Sequence, residues 1–246
     1  MLVHGIGSCW QVWKPVLPAL EARHRVLAVD LPGYGQSPPV RGEPSVTALV
    51  DAVQRELDAA GLDAPHLVGN SLGGWVAAEL AARGRARSVV AISPAGLWTR
   101  REFAYSDVLL WSTYVAAQRL APHADRIAAT APGRRLLFGH VCARPGRMDP
   151  ANAAWQVRAF AASPSYLGTL RWMRHGPRMP AGLERIACPF RVVWGTLDLL
   201  LPYRQARRWE RIVPGAERVA LPRLGHTPMA DDPDLVARAI LELTSG

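Results

Sequence analysis

Ser71 stands in Gly69-Asn70-Ser71-Leu72-Gly73, between the apolar run His66-Leu67-Val68 and an alanine-rich helical pattern from Trp75 to Ala82. A serine with glycine two residues to either side, at a strand-to-helix junction, is the pattern of a strained turn that lifts a hydroxyl above a sheet. The flanking glycines relieve both the tight turn and the contact of helix with strand. The hydroxyl then lies at a helix N-terminus, whose amide groups favour developing negative charge. A serine alone is a weak nucleophile; it needs a base to remove its proton and an acid to orient that base. Two downstream residues have the right types. Asp198 lies in Trp194-Gly195-Thr196-Leu197-Asp198 and His226 in Leu224-Gly225-His226-Thr227-Pro228, each just after a predicted strand. Taken singly, such an aspartate is most often a surface residue and such a histidine a turn residue. Together, behind the Ser71 turn and at the ends of successive strands, they supply nucleophile, base and orienting acid for acyl transfer. Attack on an acyl carbon also needs donors for the oxyanion. The backbone N–H of Leu72 is one candidate, and that of Ile6, in the loop His4-Gly5-Ile6-Gly7, is the other. His4 itself reads as a structural hydrogen-bonder of that loop.

Gathering these groups requires a particular scaffold. Short β-rich apolar runs alternate with helical patterns, which predicts an α/β fold: a parallel sheet with helices on both faces and functional loops at its carboxyl edge. The strand candidates are Leu2-Val3, Val26 to Val29, His66 to Val68, Ser88 to Ile92, Phe190 to Trp194 and Arg218 to Leu221. Val46, Leu49, Val50, Val53 and Leu57 fall at helical spacing as one apolar stripe. Asp232 as N-cap and Pro233 in the first turn open a last helix, with Val236, Ala239, Ile240 and Leu243 on its buried face. From about Gly96 to Gly182 the alternation stops. That stretch carries Trp98, Trp111, Trp155 and Trp172 and reads as several short helices separated by proline and glycine, with Pro177, Pro180 and Gly182 at its exit. The expected division is a core of residues 1–95 and 183–246 with a helical insertion, 96–182.

Bulk properties narrow the class. The 246 residues, 49% apolar and 20% charged, suit one large α/β domain with an insertion. No apolar run approaches the roughly 18–20 residues that span a bilayer, and no basic-then-apolar leader marks secretion, so a membrane partner is not expected. Cys9, Cys142 and Cys188 lack metal-ligand spacing and are odd in number, which predicts reduced thiols and a cytoplasmic location. A net charge of +9 raises the question of nucleic acid. The charge is almost all arginine, with Lys14 the single lysine, and it is dispersed along the chain with no recognition motif, so no nucleic-acid partner is expected. The histidines are dispersed too, without HExxH or a comparable pairing, and neither a metal nor any other cofactor is expected.

In combination, His4-Gly5-Ile6-Gly7, the segment Asp30-Leu31-Pro32-Gly33-Tyr34-Gly35-Gln36-Ser37, Gly69 to Gly74, Trp194 to Asp198 and Gly225-His226 resemble the α/β-hydrolase superfamily. The resemblance is to its lid-bearing members, typified by small esterases, lactonases and carbon–carbon bond hydrolases. It implies an eight-stranded, mostly parallel sheet with a helical cap between the sixth and seventh strands, and a structural role for the Asp30 segment. Two departures stand out. The residues that would form the first two strands, ahead of the oxyanion loop, are absent from this sequence, so N-terminal strands are expected to be missing. Carbon–carbon bond hydrolases usually show a Gly-Pro-Gly oxyanion loop and a tryptophan after the histidine, whereas this chain has Gly7-Ser8-Cys9 and Thr227.

The expectation is therefore a cofactor-independent serine hydrolase acting on a carboxylic ester, thioester or lactone of an apolar small molecule. The alternatives are a carbon–carbon bond hydrolase of the same fold and a non-hydrolytic ligand-binding relative. Serine rather than aspartate at the nucleophile position disfavours dehalogenase and epoxide hydrolase chemistry. Trp10 and Trp75, beside the oxyanion loop and the elbow, are candidates for the acyl pocket. Cys9 reads as a packing residue. Monomer and homodimer are both open.

Overall fold

The computed structural model describes residues 1–177 and 179–245. Six strands form one sheet: β1 (Leu2–Val3), β2 (Ala28–Val29), β3 (His66–Asn70), β4 (Ser88–Ile92), β5 (Phe190–Gly195) and β6 (Glu217–Leu221). Their order is β2-β1-β3-β4-β5-β6 and every pairing is parallel. The sheet thus has six strands where the resemblance implied eight. The helices are α1 (Leu17–Glu21), α2 (Val46–Ala59), α3 (Leu72–Ala82), α4 (Arg100–Leu120), α5 (Ala124–Ala128), α6 (Ala131–Phe138), α7 (Pro150–Ala161), α8 (Tyr166–His175), α9 (Ala206–Ile212) and α10 (Pro233–Thr244).

The period-two alternation of the strands divides the core in two. Val3, Leu67, Val89, Ala91, Val192 and Trp194 face α2, α3 and α9, while Leu2, Val68, Val90, Ile92, Val193 and Leu221 face α1 and α10. With both faces covered, the central strands are largely apolar, as buried parallel strands are, and the buried Arg191 of β5 is paired with Glu217 and Glu242. The predicted stripe on α2 is buried throughout, and Ser45 caps the helix by accepting the Ala48 N–H at 3.0 Å. Asp232 caps α10 through the Leu235 N–H at 3.0 Å, with Pro233 at its start as expected. Leu243, assigned to the buried face, is only half-buried, whereas Thr244 beside it is buried.

Between β4 and β5 the chain is helical, from α4 to α8. These helices are not uniformly short. α4 runs for 21 residues, started by a capping box in which Thr99 and Glu102 exchange side-chain and backbone bonds. α7 packs against α4 and α5, over small side chains including Ala124, Ala128, Ala153 and Ala154. Tyr114, Phe160 and Tyr166 lock α4, α7 and α8 together, the two tyrosine rings stacked at 4.6 Å. No helix among the described residues is long and apolar enough to cross a membrane.

Candidate active site

β3 ends at Asn70 and α3 begins at Leu72, leaving Ser71 as the turn. Its backbone sits at φ +55°, ψ −117°, a conformation that costs a residue with a Cβ about 1–3 kcal/mol and persists only where the surroundings enforce it. Here they do. Ser71 N–H donates to Ile92 O at 2.9 Å, and Ser71 O accepts the N–H groups of Gly74 and Ala95 at 2.9 Å each. The strain therefore falls on the serine itself, and the glycines answer a different need, space. A Cβ on Gly69 would stand 2.1 Å from Gly73 O, and one on Gly73 would stand 2.1 Å from Val3 O.

Asp198 and His226 are joined: His226 Nδ1 donates to Asp198 Oδ2 at 2.8 Å, with both residues buried. The other carboxylate oxygen accepts the N–H groups of Leu200 at 2.9 Å and Leu201 at 2.7 Å, so the acid is fixed by its own loop. A carboxylate only accepts, so the pairing places the imidazole proton on Nδ1 and leaves Nε2 with its lone pair. Ser71 and His226 line the same cavity, but the Ser71 hydroxyl makes no hydrogen bond to the imidazole. The sequence-predicted trio thus shares one site with two of its members bonded.

Ile6 lines the cavity beside Gly5 and Gly7. Leu72, the first residue of α3, is buried directly behind Ser71 and is not part of the lining. Neither Ile6 N–H nor Leu72 N–H has a hydrogen-bond partner among the described residues. The loop is held by His4, which donates from Nδ1 to Gly5 O at 2.8 Å and accepts the Leu31 N–H on Nε2 at 2.9 Å. Complete burial pushes the His4 pKa down to about 4, which keeps the ring neutral and this donor–acceptor pattern intact. Asp30 braces the same region, accepting the N–H groups of Trp10 at 2.7 Å and Gln36 at 2.9 Å.

Two residues that sequence reasoning passed over organise the site. The Asn70 amide donates to Ile92 O at 3.1 Å and to His226 O at 3.0 Å, tying the elbow to the histidine loop. Buried Asp231 accepts Gly225 N–H at 2.8 Å, Ala143 N–H at 2.9 Å and Arg144 N–H at 2.6 Å. Thr227 adds bonds from its N–H and hydroxyl to Val141 O, at 2.9 and 3.2 Å, and its hydroxyl meets Cys142 Sγ at 2.9 Å. The segment after α6 is therefore stitched to the loop that carries His226.

The cavity measures about 1080 Å³. Leu110, Leu120, Leu137, Phe138, Val157 and Phe160 give it broad apolar walls, and His140 faces it from the stitched segment. Burial, with the neighbouring His226, lowers the His140 pKa to about 4. Trp10 and Trp75 do not line it, contrary to expectation. The helical direction of α3 sends Trp75 into the core, where it lies 5.8 Å from Trp98 and 6.4 Å from Trp172 and donates to Glu79 at 2.7 Å. Trp10 is half-buried outside the cavity, its ring under Lys14 Nζ at 5.3 Å. Of the tryptophans in the helical segment, Trp155 reaches the cavity. Cys9 is packed in the core, its thiol pushed up to about 12 by burial. No cluster of three or more metal-ligating side chains exists among the described residues.

The profile of the Alpha/beta hydrolase family matches residues 1–239. Over 208 residues, 80% of this chain and 93% of the relative, the sequence is 34% identical to epoxide hydrolase EphH of Mycobacterium tuberculosis. A crystal structure of a membrane phospholipase A, a bacterial virulence factor, superposes with TM-score 0.79 at 25% identity, covering 100% of this chain and 78% of that one. A thermophilic esterase from Thermogutta terrifontis shares the fold at TM-score 0.73 and 24% identity, over 98% and 87% of the two chains. The chain belongs to the alpha/beta hydrolase family.

Proposed function

We propose that this hydrolase cleaves a carboxylic ester, thioester or lactone of a small molecule with apolar bulk, through an acyl-enzyme on Ser71. His226 Nε2 takes the Ser71 proton as Oγ attacks the carbonyl carbon. The N–H groups of Ile6 and Leu72 hold the oxyanion, and the imidazolium, steadied by Asp198, passes its proton to the departing alcohol or thiol. Water, deprotonated by the same imidazole, then attacks the acyl carbon, and Ser71 leaves with the returning proton. The helices between β4 and β5 act as the lid of the cavity.

The observation that carries this reading is the Asp198–His226 bond of 2.8 Å facing the cavity that Ser71 enters from its enforced turn. Catalytic hydrogen bonds are often open in a substrate-free site and close with substrate. The kinship with an epoxide hydrolase does not favour epoxide opening here. A serine oxygen attacking an alkyl carbon would form an ether, which water does not release under these conditions; attack on an acyl carbon forms an ester, which it does. In the test, Ser71→Ala is expected to lower hydrolysis of short p-nitrophenyl esters at least about a thousandfold, with an unchanged circular dichroism spectrum. Fluorophosphonate labelling should mark the wild type and not the variant. Turnover at the wild-type rate in the purified variant would overturn the reading.

A further inference from the structure

His140 is a polar side chain of the cavity that the acyl-transfer chemistry leaves unused. It follows α6, is half-buried, and lines the cavity together with Ser71 and His226. Neither of its ring nitrogens has a hydrogen-bond partner among the described residues, and neither is sealed in the protein interior. The backbone beside it is fastened to the loop of the base. Thr227 N–H donates to Val141 O at 2.9 Å, and a Cβ on Gly225 would stand 2.6 Å from that same oxygen. The residues that flank the two histidines are thus in contact, and a charge on His226 is felt at the His140 ring. Their polar neighbours are already committed. The Cys142 thiol meets the Thr227 hydroxyl, and the Asp231 oxygens take three backbone N–H groups.

We infer that His140 is a positioning residue for hydrolysis: it accepts a hydrogen bond from the water that releases the acyl group from Ser71. The inference rests on the proposed acyl-enzyme reading of the cavity. That water must come within reach of His226 Nε2, and His140 is held on the side of that base. As the water oxygen bonds to the acyl carbon, one hydrogen passes to Nε2. The bond from Ser71 Oγ to the acyl carbon then breaks, and the same proton returns to Ser71. The second hydrogen stays on the oxygen and ends on the carboxylic acid. A group that accepts this second hydrogen aims the oxygen lone pair, as an oriented attack requires. A neutral imidazole offers such an acceptor on one nitrogen in either tautomer, and burial, lowering the pKa to about 4, keeps the ring neutral. While His226 holds the transferred proton, repulsion keeps His140 from taking another.

Methanol separates this role from mere bulk. It attacks the same acyl-enzyme, but its single hydroxyl hydrogen goes to His226 and none is left for His140. With p-nitrophenyl butyrate as acyl donor and methanol as competing acceptor, methyl butyrate and butyrate are measured at early times. In His140→Phe, which keeps a planar ring without an acceptor, the ratio of methanolysis to hydrolysis is expected to rise roughly fivefold, the effect of one lost hydrogen bond. His140→Gln, whose side-chain oxygen accepts, should return the ratio toward the wild-type value. Both products come from one acyl-enzyme, so the ratio does not depend on how much of a variant folds or how fast it acylates. An unchanged ratio in His140→Phe, or an equal rise in both variants, would overturn the role of His140 while leaving acyl transfer standing. No methyl butyrate from the wild type, with no fluorophosphonate labelling, would sink the acyl-enzyme and this inference with it.

Discussion

At Asp198 the two oxygens have separate duties, and that division makes the residue testable. One accepts the backbone of its own loop and the other accepts His226 Nδ1. In Asp198→Asn the loop bonds can be retained, but the amide nitrogen must then face the imidazole. Nδ1 is forced to accept, Nε2 carries the proton, and the ring can no longer take one from Ser71. We expect kcat to fall roughly ten-thousandfold with the melting temperature near that of the wild type, measured by ester hydrolysis and calorimetry. That Asp198 would meet His226 at the cavity lined by Ser71 was legible in the sequence, because each of the three combines a reactive type with a strand-end position. Asn70 and Asp231 were not, because their partners are backbone groups 156 and 88 residues away, which no local pattern records. Trp75 misled for the converse reason. Nearness to the elbow along the chain says nothing about which way a helix points a side chain.

Among elements, the contact of α3 with the sheet is the least forgiving. Gly73 passes so close to Val3 O that no methyl group fits, and the obstacle is backbone, which cannot rotate aside. Gly73→Ala is expected to cost roughly 3 kcal/mol and to lower Tm on the order of 10 °C, with activity lost as Ser71 is displaced. Gly146→Ala is the control: its new methyl would meet a neighbour at 3.5 Å, an ordinary contact, and Tm should hardly move. Strands and caps were the most readable parts of the fold. β4 spans the residues predicted for it, and Asp232 caps α10 where the Asp-Pro pair said it would. β2 is shorter than the apolar run from Val26 because its partner β1 offers only Leu2 and Val3 to pair with Ala28 and Val29. The length of α4 was also within reach, since Thr99 and Glu102 form a start signal and neither proline nor glycine interrupts residues 100–120.

For the whole molecule, acid is the condition the buried groups resist least. The unfolded chain takes up protons on histidine near pH 6.5, whereas His4 in the folded protein stays neutral down to about 4. Between those values the unfolded state holds the extra proton, so stability declines as pH falls and is restored as it rises. His4 alone should lower the unfolding free energy by roughly 3 kcal/mol between about pH 7 and pH 4, and His140 acts in the same direction. Glu102 follows at lower pH. Burial works against its charge, but hydrogen bonds from Arg208, the Thr99 N–H and Arg204 outweigh that and hold it at about 2, so its contribution is lost below about pH 4.5. Urea unfolding of the wild type and of His4→Gln across this range should show a shallower decline in the variant; parallel curves would refute the assignment. The bonds from Asp231 and Thr227 to residues 141–144 have a mechanical consequence of their own. They yoke the loop that carries His226 to residues 141–144, so a guest that levers up that segment pulls on the imidazole as well. α4 has a tether of its own, because the Tyr105 and Ser106 hydroxyls donate to Leu199 O and Leu200 O on the loop that fixes Asp198, so displacing that helix strains the partner of the same imidazole.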